Sequence, residues 1–215
     1  MKALLLNGPG KPFSIETIKD PTPEKGYAVA KVLACGSGLT IQHVKAGRIT
    51  VNYPRIIGHE IIGEIVEING HGGDLEIGTP VTAFFYLTCG HCRWCNIDRE
   101  TLCDNFRGYI GREIDGGYAE YIKLPIENFI KIPEEIDYKN NLLETAVVCD
   151  AVATPLKIIK KARISSFDKV GVIGAGGGLG IHMLKMLKLN NIFTIGIDTK
   201  TEKFDVCKAN GAEFS

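Results

Sequence analysis

An α/β chain with a β-rich first domain is what the sequence predicts, and three observations predict it. Up to about residue 135, short alternating apolar runs are broken by turn residues; from about Asn140, apolar residues fall at helical spacing; and beyond them a buried-looking strand runs into a glycine-rich turn and a helix. The first pattern is that of an antiparallel barrel or sandwich, and the second that of a parallel β-α-β-α unit. We place the domains at residues 1–150 and 151–215.

The first domain is read from the runs Lys2–Leu6, Phe13–Ile18, Tyr27–Leu33, Ile61–Ile68, Val81–Tyr86, Tyr118–Leu124 and Phe129–Ile132. Gly8-Pro9-Gly10, Asp20-Pro21-Thr22-Pro23 and Gly70-His71-Gly72-Gly73 punctuate them. A helical stretch from Asn140 to Lys161 leads into a strand, Val170–Ile173, a helix, Leu179–Leu189, a second strand, Ile192–Ile197, and a helix, Glu202–Ala209, closed by Asn210-Gly211. The 215 residues suffice for a buried core, and 45% apolar with 23% charged residues is ordinary globular composition. Lys and Arg balance Asp and Glu at 25 each, so no net field steers the chain to nucleic acid or an anionic membrane. Met1–Asn7 is too short for a signal segment and no later apolar run reaches a membrane span, which points to a cytoplasmic chain without nucleic-acid or membrane partners.

Cys89, Cys92, Cys95 and Cys103 stand as C-x2-C-x2-C-x7-C. In a reducing compartment, thiols clustered this closely serve as metal ligands, and four thiolates make a closed structural zinc site. The rival, an iron–sulfur cluster, has a different last spacing with a proline after the final cysteine. Because four thiolates fill the coordination shell, the metal holds the loop rather than performing chemistry. His91 is expected to face solvent and Trp94 to pack.

The run Gly174-Ala175-Gly176-Gly177-Gly178-Leu179-Gly180 lies directly between a predicted strand and helix, the context a dinucleotide fingerprint requires. Gly174, Gly176 and Gly177 can form the tight turn and Gly180 the close helix contact, with backbone amides at the helix start receiving a pyrophosphate. Asp198 ends the next strand, where an acid binds the ribose 2′-hydroxyl and repels a 2′-phosphate, which favours NAD over NADP.

Two weaker signals remain: Cys35-Gly36-Ser37 after an early strand, and Gly58-His59-Glu60 before a strand with Gly63. Together with the four cysteines, the glycine turn and Asp115-Gly116-Gly117-Tyr118-Ala119-Glu120-Tyr121, they make the whole chain resemble the zinc-dependent medium-chain alcohol dehydrogenases. The resemblance implies a GroES-like barrel followed by a Rossmann domain. It implies Cys35 and His59 as ligands of a second, catalytic zinc, with Glu60 as the adjacent acid. For the third ligand it implies Asp150, four residues before Thr154, with the neighbouring Cys149 as the alternative. Three protein ligands leave a position open, so this zinc acts as a Lewis acid toward an alcohol or carbonyl oxygen while hydride passes to or from NAD. Ser37 matches a hydroxyl that passes the proton outward, Lys203 a position near the adenosine ribose, and Phe85 a pocket-lining aromatic. The chain departs from the pattern at Gly38, where an acid that orients the histidine is usual, at Thr40, where a relay histidine is common with His43 three residues on, and at Gly78-Thr79.

A complete dinucleotide fold needs two β-α-β-α-β halves, and Ala212–Ser215 falls where the third strand begins. The expectation is therefore the front part of a zinc-dependent, NAD-linked oxidoreductase acting on a small alcohol or carbonyl compound. The alternatives are an inactive zinc-binding fragment and half of a split enzyme needing a complementary chain; a zinc-free quinone or enoyl reductase is disfavoured by the cysteine and histidine set. A homo-oligomer is compatible with the resemblance.

Overall fold

The computed structural model describes residues 1–215, which form two compact units, Met1–Cys149 and Asp150–Ser215. In the first unit the alternating runs pair as antiparallel sheets. β1 (Lys2–Leu6) lies between β2 (Phe13–Thr17) and the two-residue β4 (Arg55–Ile56). A five-stranded sheet follows the order β7-β3-β5-β6-β8, built from β3 (Tyr27–Cys35), β5 (Ile61–Asn69), β6 (Pro80–Ala83), β7 (Tyr121–Pro125) and β8 (Phe129–Lys131). One face of these strands is apolar at every second residue, which is why Ala28, Ala30, Ile61, Ile65, Val81, Ala83, Ile122 and Leu124 share one buried core.

Sequence periodicity misses two elements here. Helix α1 (Leu39–Lys45) is only two turns long and buries just Ile41 and Val44, which pack with Leu6, Val51 and Ile57, too short a stripe to read as a period. β4 pairs only Leu5 and Leu6. Conversely, the run expected as Val81–Tyr86 leaves the sheet after Ala83, and Phe84, Phe85 and Tyr86 instead form an aromatic group with mutual ring distances of 4.6–6.5 Å. The run expected to begin at Tyr118 enters the sheet only at Tyr121, because Gly116, Gly117 and Tyr118 donate their N–H groups to Ile56, Gly58 and Ile57.

The helical stretch expected from Asn140 to Lys161 is three pieces: α2 (Leu142–Ala146) against β3 and β5, a π-helical turn over Val148–Val152, and α3 (Ala153–Ala162). A π turn widens the helix by one residue, and such turns occur frequently at functional sites.

The second unit has a parallel pair, β9 (Lys169–Ile173) and β10 (Phe193–Ile197), with α4 (Gly178–Leu189) as the crossover and α5 (Phe204–Ala209) after a 3-10 turn. Its core gathers Ile159, Val172, Ala175, Leu184, Leu187, Ile192, Cys207 and Ala212. Phe214 bridges Ile195 in parallel, so the third strand starts beside β10. The first unit is thus β-rich and antiparallel, and the second a parallel α/β unit, as the sequence leads one to expect. No helix is long and apolar enough to cross a membrane.

Candidate metal and nucleotide sites

The four-cysteine lobe is built from two 3-10 turns, Cys95–Ile97 and Glu100–Leu102, that fold residues 89–103 back on themselves. The sulfurs of Cys89, Cys92, Cys95 and Cys103 all lie within 4.8 Å of one another. Four of the separations are 3.5, 3.5, 4.0 and 4.0 Å. Thiolates held at the usual zinc–sulfur distance at tetrahedral corners stand about 3.8 Å apart, close to the four separations of 3.5–4.0 Å, so this cage suits one tetrahedral ion. Backbone N–H groups are already aimed at it. His91 N–H, then that of Cys92, and the Cys103 and Asn105 side chains hold the Cys89 thiol down to about 6, against its partial desolvation. Backbone N–H groups of Cys95 and Asp104 lower Cys92. Desolvation, and then hydrogen bonding of its protonated thiol to the Cys92 and Cys103 sulfurs, push Cys95 up to about 12, because four sulfurs cannot all ionise together without a cation among them. His91 is exposed, its Nδ1 2.6 Å from the Cys89 carbonyl oxygen. Trp94 is half-buried beneath the Arg93 guanidinium at 4.8 Å.

The second cluster forms where β3 ends beside the start of β5. Cys35 is paired with Ile61 after the register slips between Val32 and Ala34, a bulge that re-aims the strand end. His59 and Glu60 are 9% and 4% exposed, unusual for ionisable groups, and occupy the same place. Gly58 adopts φ +97°, and a Cβ there would stand 2.7 Å from the Cys35 sulfur; one at Gly117 would stand 3.0 Å from it. Glycine is needed at both positions because the thiol fills the space together with the Tyr118 ring at Gly58 and the Ile61 side chain at Gly117. A Cβ at Gly36 would meet the Glu60 carboxylate at 2.6 Å, so acid and thiol crowd one small volume. Burial, followed by the charges of Cys149 and Glu60, pushes the Cys35 thiol far up. Clustered acidic donors that repel one another out of water are the chemistry a divalent cation neutralises, and in this respect the residues fit a metal.

Around this cluster, the Cys149 thiol donates to the His59 carbonyl at 3.8 Å. The Phe85 ring lies 5.0 Å from the His59 imidazole, and Tyr86, Tyr109 and Phe106 extend that aromatic wall. Ser37 lies beside the Tyr118 phenol, whose hydroxyl donates to the Gly36 carbonyl at 3.3 Å. Burial raises that phenol, Ser37 lowers it, and Cys35 and Glu60 raise it further, leaving it above its ordinary value. Asp150 begins the second unit, and its Oδ1 accepts from the Thr154 hydroxyl at 2.9 Å. His43 sits on α1 with its Nδ1 3.3 Å from the Arg48 guanidinium. The contribution of Tyr118 was missed by sequence reading. Its signal was present in the two glycines before it, which mark a close backbone approach.

In the second unit, Gly174 takes φ +74° at the end of β9, and the Gly177 N–H returns to its carbonyl at 2.9 Å, closing the turn. Gly177 caps α4, and a Cβ at Gly180 would stand 2.3 Å from the Gly174 carbonyl oxygen, so only glycine lets the helix start this close to the strand. Asp198, 6% exposed at its side chain, accepts from the Gly176 N–H at 3.0 Å and the Lys200 N–H at 3.2 Å. Lys203 Nζ stands 3.8 Å from it, and the Lys203 stem covers Gly176. Burial raises the Asp198 carboxyl, but the Gly176 and Lys200 N–H groups and the Lys203 charge together outweigh it and hold the acid below its usual value. Acid, lysine and glycine loop are thus assembled at the carboxyl end of two parallel strands, where open α/β sheets bind nucleotides.

Comparison with known proteins agrees with this construction. The alcohol dehydrogenase GroES-like domain model matches residues 24–134. An alcohol dehydrogenase from Geobacillus stearothermophilus is 32% identical over 219 residues, covering 100% of this chain and 62% of the relative. An acryloyl-coenzyme A reductase from Sulfurisphaera tokodaii is 30% identical over 209 residues, covering 97% of this chain and 61% of the relative. Among solved structures, a cobalt- and zinc-bound thermostable alcohol dehydrogenase from Pyrobaculum aerophilum superposes with a TM-score of 0.89 at 28% identity, over 100% of this chain and 64% of its own. The chain therefore spans a little over 60% of the length of these relatives. On the match of that domain model over half of the chain, the chain belongs to the alcohol dehydrogenase family with the GroES-like domain.

Proposed function

We propose that this chain is the front part of a zinc-dependent, NAD-linked oxidoreductase that interconverts an alcohol and an aldehyde or ketone. The observation that carries the reading is the buried convergence of Cys35, His59 and Glu60 at the junction of β3 and β5. A bound zinc would supply Lewis acidity toward the alcohol or carbonyl oxygen, and a bound nicotinamide the hydride acceptor or donor. The chain's own residues do the rest. Cys35 and His59 hold the metal with Asp150 as third donor, and Glu60 supplies a nearby carboxylate that offsets its charge. The Ser37 hydroxyl takes the substrate proton toward solvent, and the Phe85 ring beside His59 keeps water from that side. Cys89, Cys92, Cys95 and Cys103 hold a second, structural zinc that fixes the lobe.

In the cofactor site, the amides of the Gly174–Gly180 turn receive the pyrophosphate, Asp198 binds the adenosine ribose, and Lys203 flanks it. An ionised carboxylate at the ribose repels a 2′-phosphate, which supports NAD over NADP. A second reading, half of a split enzyme that needs a complementary chain, is compatible with the share of the relatives' length that the chain spans. The alternative, a zinc-binding fragment without catalysis, draws on that same length comparison.

Metal analysis tests the reading first. Two zinc per purified chain are expected, one in Cys35→Ser and one in Cys103→Ser, whereas a single zinc in the unaltered chain overturns the two-site assignment. Parallel measurements on Asp150→Ala and Cys149→Ala decide the third donor: loss of the second zinc only in Cys149→Ala overturns Asp150. NADH formation over primary, secondary and polyol alcohols, with reduction of the acryloyl-coenzyme A double bond alongside, then separates an alcohol enzyme from an enoyl-thioester reductase and from a fragment with no turnover.

A further inference from the structure

Tyr118 touches both the turn that follows Cys35 and the segment that leads into His59. Its backbone belongs to a segment laid along the approach to His59: Gly116, Gly117 and Tyr118 donate to the carbonyls of Ile56, Gly58 and Ile57 at 2.8, 2.9 and 3.0 Å. Its ring lies on Gly58, where a Cβ would stand 2.6 and 2.8 Å from Cδ1 and Cε1, so the aromatic face takes the place a side chain would fill immediately before the histidine. The same ring is anchored on its far side in the cluster of Leu6, Ile41, Val44, Val51 and Ile57, with Phe13 edge-on at 6.3 Å. Its hydroxyl reaches the other strand and donates to the carbonyl of Gly36, the residue between Cys35 and Ser37, at 3.3 Å.

This arrangement fixes a distance. The ring holds Gly58 and hence the start of the His59 segment, while the hydroxyl holds the turn that ends β3. The Cys35 sulfur lies between them, filling the space that Cβ atoms at Gly58 and Gly117 would take. Groups that do not bind a metal but orient those that do govern affinity, because donors left free to turn must be ordered when the ion arrives.

We propose that the Tyr118 hydroxyl is a positioning residue for the metal site of Cys35 and His59, tying the Cys35-Gly36-Ser37 turn to the Gly58-His59 segment through its bond to the Gly36 carbonyl. The inference rests on the two-metal reading above and adds to it a residue that no ligand motif identifies. Tyr118→Phe keeps the ring on Gly58 and removes only the hydroxyl, so the fold is expected to persist.

The test uses the full chain loaded with cobalt(II), whose visible bands report thiolate coordination, with Cys35→Ser giving the spectrum of the four-cysteine cage alone. In Tyr118→Phe, the part of the spectrum that depends on Cys35 shifts, and the dissociation constant of that site, measured by chelator competition, rises about tenfold. The four-cysteine spectrum and affinity stay unchanged in the same sample. Tyr118→Met, which lacks ring and hydroxyl, weakens the site at least as far. An unaltered Cys35-dependent spectrum and affinity in Tyr118→Phe overturns the proposal, and so does weakening confined to Tyr118→Met, which assigns the effect to the ring. If the unaltered chain binds one cobalt only, the two-metal reading itself falls, and the proposal with it.

Discussion

Asp198 has two tasks that pull in different directions. As the proposed ribose ligand it must be ionised and reachable, yet its side chain is 6% exposed, held by the amides of Gly176 and Lys200. Its carboxyl is depressed in the folded chain, so it contributes stability that is fully present above the ordinary aspartate value of 3.8 and is lost as pH falls through the lower folded value. Asp198→Asn is accordingly expected to melt at a lower temperature than the parent at pH 7, with the difference shrinking as pH is taken through and below 3.8; thermal melts across that range measure it. A gap that does not narrow in acid would assign the loss to something other than charge. The same variant should bind NAD at least about tenfold more weakly, the worth of one hydrogen bond to a charged group, by titration calorimetry, while losing its discrimination against NADP. The position of this acid was legible in the sequence, because it directly follows the second strand of the unit and faces the glycine turn after the first. Tyr118 was not legible in that way. Its role depends on Gly58 and Gly36, residues far from it in sequence, and on a ring orientation that no spacing encodes.

At the scale of elements, the devices that work are short. The cage of Cys89, Cys92, Cys95 and Cys103 is closed by two 3-10 turns whose Ile97 and Leu102 are exposed, so on the proposed two-zinc reading the lobe depends on a bound metal. Chelation, or Cys103→Ser, is expected to leave residues 89–103 open to limited proteolysis while the five-stranded sheet keeps its amide protection; loss of protection throughout the sheet would mean that the metal supports the whole unit. The α4 start shows the opposite economy, since its position is set by contact alone. Gly180→Val would drive a side chain into the Gly174 carbonyl oxygen and should cost about 1–3 kcal/mol in denaturant unfolding of the second unit. Elements of five or more residues with a steady period were readable in advance: β1, β3, β5, α4 and β10 lie within a residue or two of their expected limits. Two kinds of element were not readable. α1 and β4 are too short to show a period, and the π turn at Val148–Val152 interrupts what reads from composition as one continuous helix.

For the molecule as a whole, the two units differ in how completely they cover their apolar surface. The antiparallel sheets of the first unit enclose a core whose members Ala28, Ala30, Ile65, Ala83 and Leu124 have no exposure. In the second unit, helices cover one side of the parallel pair, and alternate strand residues point the other way: Ile173 is 85% exposed, Ile197 47% and Phe214 62%. Strands of parallel sheets are ordinarily covered on both faces, and apolar patches of this kind are uncommon on monomeric proteins. The residues at fault are large and β-branched or aromatic, good strand formers chosen for burial rather than for water. The purified chain is therefore expected to bind an apolar dye such as anilinonaphthalene sulfonate and to show concentration-dependent association in sedimentation. Replacing Ile173 and Ile197 together by Lys should reduce both, because neither side chain belongs to the unit's buried core and the charge blocks contact at that face. Dye binding and sedimentation unaltered in the double variant would show that association proceeds through another surface, leaving this face of the sheet as a tolerated exposure rather than the site that drives contact.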